Sequence, residues 1–135
     1  MVRVIRRAKK ANKYIINNVD MSNNKAQGSI IYGYRVKTFT IENSTMNDND
    51  AHDYITYAYY ADNFLVDNTT FTRNNAGQDG GIVGMFRSKS SRIKGCKFTK
   101  NRSNNAEWFF YNGGPDKAFF VEILTSQNSN FKSVE

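Results

Sequence analysis

The chain has 135 residues, 39% of them apolar and 14% aromatic, and a net charge of +7. That length suits one domain, and a single His and a single Cys exclude an internal disulfide and a zinc cluster of Cys and His. No run approaches the roughly 18 apolar residues of a membrane-spanning helix.

The amino terminus is basic, with Arg3, Arg6, Arg7, Lys9 and Lys10 in its first ten residues. No long apolar stretch follows, so it does not read as a signal peptide. Residues 1–11 are expected to form a solvated first strand or short helix that caps the bottom of the fold. A nucleic-acid-binding arm is the other reading.

From residue 12 to 135 the chain is organised by a repeat: apolar-x-apolar-x-Asn-x-x-apolar. It reads Tyr14, Ile16, Asn18, Met21; then Phe39, Ile41, Asn43, Met46; then Phe64, Val66, Asn68, Phe71, with steps of 25 residues. A fixed period of this size means stacked supersecondary units. Phe39-Thr40-Ile41 and Phe64-Leu65-Val66 alternate at period two and are aromatic and β-branched, which predicts strands. The leucine framework of a leucine-rich repeat is missing, and a propeller blade needs about 40 residues. A β-helix coil with two or three short strands fits.

A second strand recurs at the same period, Ile30-x-Tyr32-x-Tyr34 and Ile55-x-Tyr57-x-Tyr59. Its expected equivalents are Gly80-x-Ile82-x-Gly84 and then Trp108–Tyr111. The polar stretches 23–26, 48–51 and 73–76 are expected turns. Each closes on an Ala (Ala26, Ala51, Ala76), which predicts a tight bend facing the interior. A fourth unit runs through Ser91, Ile93, Gly95 and Phe98, 27 residues on. A fifth is expected at Leu124, Ser126, Asn128 and Phe131, 33 residues further. The extra residues would bulge at Asn112-Gly113-Gly114-Pro115-Asp116, a strong turn signal holding the only proline.

Stacked coils place equivalent residues above one another, about 4.8 Å apart. Ile16, Ile41, Val66 and Ile93 should form one internal ladder, and Met21, Met46, Phe71, Phe98 and Phe131 another. Asn18, Asn43 and Asn68 should sit at left-handed corners and bond amide to amide up the column. Gly95 in their place supports a conformational reason.

Val66-x-Asn68-x-x-Phe71-x-x-Asn74-x-Ala76 with Gly80-Gly81-Ile82, and Ile93-x-Gly95-x-x-Phe98-x-x-Asn101, resemble the repeats of polymorphic outer-membrane and adhesin-like surface proteins. The resemblance covers roughly residues 12–131 and implies a right-handed parallel β-helix of the pectin-lyase-like kind, with a surface or adhesive role. The full expectation is an all-β, right-handed parallel β-helix (a solenoid) of about four to five coils, part of a longer solenoid. Exposed end coils make end-to-end self-association a further expectation.

Positive charge gathers in the third and fourth units at Arg87, Lys89, Arg92, Lys94, Lys97, Lys100 and Arg102. These residues are the candidate polyanion or glycan site, or else a charged wall that blocks association. Tyr34, Tyr59, Tyr60 and Tyr111 would strengthen a ligand-binding reading if exposed, but internal stacking is expected for most of them.

Enzyme signals are thin. Arg92-Ile93-Lys94 matches a tripeptide of polygalacturonases, whose aspartate-pair and histidine-glycine blocks are absent. Asp48 and Asp50 read as turn residues, with no calcium-loop spacing after them. Cys96 reads as a ladder or turn residue. No catalytic residue, metal ligand or cofactor is expected. The leading function is structural: an adhesin-like segment, extracellular or at the cell surface, binding a glycan or protein along its outer wall. The alternatives are a partial carbohydrate-active enzyme and a basic module for glycans or nucleic acid. Asn43-Ser44-Thr45, Asn68-Thr69-Thr70 and Asn101-Arg102-Ser103 match glycosylation sequons and read as by-products of the repeat.

Overall fold

The computed structural model describes residues 6–77, 80–103, 110–113, 119–126 and 133–134, the last three segments by their backbone. Parallel strands dominate, stacked coil upon coil into about four turns of a β-solenoid. The first wall stacks Arg6–Lys9, 31–34, 56–59, Val83–Phe86, Phe110–Gly113 and Ser133–Val134. A second wall stacks Lys13–Asn17, 38–42, 63–67, 90–94 and 119–122. The third stacks Asp20–Ser22, Thr45–Asn47, Thr70–Thr72 and 97–99, and 124–126 continues it. A short fourth sheet holds Lys25–Ala26, Asp50–Ala51, Asn75–Ala76 and Arg102–Ser103.

The chain turns between walls at left-handed residues, and among the described residues each of the first four coils has three such corners. Between the first and second walls they are Lys10, Arg35, Tyr60 and Arg87, with φ of 54°, 55°, 62° and 59°. Between the second and third walls they are Asn18, Asn43, Asn68 and Gly95, at 58°, 51°, 45° and 60°. After the third wall they are Asn23, Asp48, Arg73 and Lys100, at 60°, 57°, 54° and 56°. The repeat phrase predicts the middle column alone. A left-handed non-glycine residue costs about 1–2 kcal/mol, and the stack offsets it. Lys10, Asn18, Asn43, Asp48 and Arg73 each donate their backbone N–H to a carbonyl one coil on, Tyr34, Glu42, Asp67, Thr72 and Thr99, at 2.8–3.2 Å.

Inside lies a column of apolar ladders. Ile16, Ile41, Val66 and Ile93 are buried and in register, as expected. So are Met21, Met46, Phe71 and Phe98, and the Phe71 and Phe98 rings stack with centroids 4.6 Å apart and planes 3° apart. Phe131, expected at the top of this ladder, lies outside the described residues. Ala26, Ala51 and Ala76 are buried at the inner bend, with Ser103 next in the column.

Two registers differ from expectation. On the first wall Gly84 pairs beside Tyr57, and Phe86 beside Tyr59. The unit is two residues longer than its predecessors, so Ile82, not Gly80, continues the buried Ile30–Ile55 ladder. Gly84 fits because the Tyr54 ring lies over it: a Cβ there would come within 2.3 Å of that ring. In the fifth coil Phe119 and Val121 pair beside Ser91 and Ile93, the places expected for Leu124 and Ser126. The register slips between Lys94 and Cys96, so Gly95 has no counterpart and Phe119–Ser126 runs through as one strand. The corner residue is missing from that coil, and a search for the corner asparagine therefore overshoots to Asn128, outside the described residues. Of the proposed insertion, Asn112 and Gly113 close the strand Phe110–Gly113, and 114–116 lie outside the described residues.

Candidate functional site

The outer face of the first wall carries aromatic side chains in register. Alternation sends Ile31, Ala58 and Met85 inward and turns Tyr32, Tyr34, Tyr57, Tyr59 and Phe86 outward, where they are half-buried. Tyr34, Tyr59 and Phe86 form one stacked column, with centroids 5.7 and 5.3 Å apart and interplanar angles of 8° and 10°. Tyr32 and Tyr57 stack beside it at 6.0 Å. Tyr34, Tyr59 and Tyr60 thus stack on the outside, against the expected internal use. Period-two alternation with Ile31 and Ala58 carried this signal. Tyr111 lies at the register position of Gly84.

The adjoining corner column adds cations. The Arg35 guanidinium carbon lies 5.4 Å from the Tyr34 centroid and 5.6 Å from that of Tyr60. Arg87 lies 5.4 Å from Tyr60 and 5.6 Å from Phe86. Tyr60 therefore sits between two guanidinium groups, with its ring edge against Tyr59 at 4.4 Å and 81°. Hydrogen bonding with Tyr60, then desolvation, raises the Tyr59 hydroxyl above its ordinary pKa. A shallow notch of about 320 Å³ opens beside this corner, lined by Arg35, Val36, Lys37, Tyr60 and Asp62. Asp62 is ion-paired there with Lys89 at 3.6 Å.

The seven basic candidates wind around the fourth coil. Arg87 stands at the first corner and Lys89 just beyond it; Arg92 and Lys94 are on the second wall, Lys97 on the third, Lys100 at the third corner and Arg102 on the short sheet. Arg92 and Lys94 share a groove of about 220 Å³ with Thr38, Thr40, Asn63 and Leu65. Arg87 alone of the seven joins the aromatic strip. Arg35, its partner across Tyr60, is missed by a sequence reading that followed charge density, although the 25-residue step from Arg35 to Tyr60 was on view.

The acidic candidates serve the stack. Asp48 accepts two hydrogen bonds from Arg73 of the next coil, at 2.7 and 2.9 Å, and these hold its carboxyl below the ordinary range. Asp50 accepts from Asn75 Nδ2 at 3.0 Å and pairs with Lys25 at 3.8 Å. His52 Nδ1 lies 3.0 Å from Asp53 on the surface. Cys96 is buried, its thiol donating to Lys94 and Val66 carbonyls at 3.3 and 3.5 Å. Burial pushes that thiol up to about 11, unlike an activated nucleophile. Among the described residues no group of three or more His, Cys, Asp or Glu side chains could hold a metal ion.

A family model described as a right handed beta helix region matches residues 5–133. No curated protein and no solved structure matches the chain.

Proposed function

The chain belongs to the right-handed β-helix region family, and from that premise we propose that it is a structural display segment. In this reading it is adhesin-like, acts at a cell surface, and binds a glycan or protein partner along its outer wall without catalysing a reaction. The supporting observation is the outward-facing, half-buried strip of Tyr34, Tyr59 and Phe86 flanked by the exposed Arg35 and Arg87. Large rigid aromatics and arginines on a flat, pre-formed wall are the residue types that dominate binding interfaces. The strip costs little conformational entropy on binding, because its side chains are already stacked.

The test is a panel of immobilised glycans and surface proteins probed with the full chain, with soluble glycans checked in parallel for new chain ends. Saturable binding without cleavage is expected. Cleavage of any glycan favours the carbohydrate-active enzyme instead, and absence of saturable binding across the panel removes the display reading.

A further inference from the structure

We infer that the corner column Lys10–Arg35–Tyr60–Arg87 is a docking track for an anionic polysaccharide lying along the solenoid axis. The inference rests on the display reading and names its ligand class. Arg35 and Arg87 are exposed, and among the described residues neither makes an ion pair or a side-chain hydrogen bond. Each guanidinium carbon lies 5.4–5.6 Å from the centroids of two aromatic rings. A cation–π contact consumes no N–H donor, so the guanidinium fork is left for bidentate bonding to a carboxylate or sulfate. The two forks stand two coils apart, roughly 10 Å along the axis, with the Tyr60 ring between them. Lys10 continues the column at the same corner, and Lys37 lines the notch beside it. The one carboxylate of the notch, Asp62, is neutralised by Lys89.

The same packing argues against a nucleic acid. Single strands are held by stacking bases on open aromatic faces. Here the faces of Tyr59 and Tyr60 are occupied by Tyr34, Phe86, Arg35 and Arg87. What remains is hydrogen-bonding edge and charge, which suits a hydroxyl-rich chain with repeating anionic groups.

The experiment is calorimetric titration of the full chain with a sulfated glycan, a polyuronate, neutral dextran and a single-stranded DNA oligomer, at low and high salt. Binding of the sulfated glycan or the polyuronate, weakened by salt, is expected, and the preferred arm identifies the anion. The R35Q/R87Q variant should lose about tenfold or more in affinity, while K97Q/K100Q, which removes the same charge from other faces, should change less than about threefold. R35K/R87K keeps the charge but not the fork, and should still lose about fivefold. Circular dichroism checks that all three variants fold. Equal losses in the glutamine pairs, full retention by the lysine pair, tighter binding of DNA, or no binding of either anionic glycan each overturn the track. A neutral glycan or protein found in the wider panel, bound equally by R35Q/R87Q, would overturn the track and leave the display reading standing.

Discussion

Asparagine does two different jobs in this chain, and only one of them is conformational. At the middle corner Asn18, Asn43 and Asn68 are exposed and left-handed; Asn68 Nδ2 donates to Asn43 at 2.8 Å, and Asn43 donates to Asn17, not Asn18, at 3.1 Å. The second column, Asn24, Asn49, Asn74 and Asn101, runs just past the third corner, and its last three members are buried. Asn49 donates from N and Nδ2 to Asn74 Oδ1 at 3.1 and 2.9 Å, and Asn74 to Asn101 Oδ1 at 2.9 and 3.0 Å. Each buried amide also donates to a carbonyl of the coil below, those of Met21, Met46 and Phe71 at 2.7–2.8 Å. Removing one such amide strands partners on two coils, at about 1–3 kcal/mol per buried group left unpaired. Asn74→Ala should therefore cost about 3 kcal/mol or more in chemical denaturation. Asn68→Gly should shift stability by less than about 1 kcal/mol, because glycine adopts the corner without strain. Equal losses would dismiss the distinction. The sequon at Asn101 is blocked by this burial, since its amide faces the interior.

At the scale of the coil, strands and corners differ in how legibly they are written. The inward ladders followed from alternation, because each wall has one buried face. The first corner, and Arg73 and Lys100 at the third, are less legible because Lys, Arg and Tyr are not left-handed formers by type; at Lys10 and Arg73 a backbone N–H bond to the next coil holds the conformation. Gly95 tests the point. Its added Cβ would meet Asp67 Oδ1 at 3.5 Å, ordinary contact, so a substitution there costs backbone strain rather than a clash. Gly95→Asn should be nearly neutral and Gly95→Ala should lose about 1 kcal/mol, read from thermal or urea midpoints. The neighbouring Cys96 supplies a pH test. Its thiol goes from an ordinary 9.0 to about 11 on folding, so the folded chain holds the proton more tightly. The stabilisation is present below pH 9.0 and is lost as pH rises through about 11. Between those values the wild type should lose stability relative to Cys96→Ala, and parallel curves would contradict the burial. Tyr14, raised chiefly by desolvation, titrates alike in both proteins and cancels.

For the whole molecule, each coil touches its neighbours and little else, so stability accumulates by stacking. Phe71 lies between Met46 and Phe98 in the third-wall ladder and is fully buried. Phe71→Ala should cost about 3–5 kcal/mol. Hydrogen exchange should show the loss of protection centred on the coils that hold Met46, Phe71 and Phe98, and a loss spread evenly along the chain would contradict nearest-neighbour coupling.

The sequence by itself determined the class of fold, the inward ladders and the middle corner. All three come from local preferences, alternation and tolerance of positive φ, repeated at one period. Only the tertiary structure decided the register past Ala76, the missing corner of the fifth coil, the buried asparagine column and the outward aromatic strip. Each of those depends on which residue of the next coil lies above, a relation between residues 25–28 apart that alternation within one coil does not specify. The strip of Arg35, Tyr60 and Arg87 is such a relation: two arginines and the tyrosine between them become one surface when the coils stack.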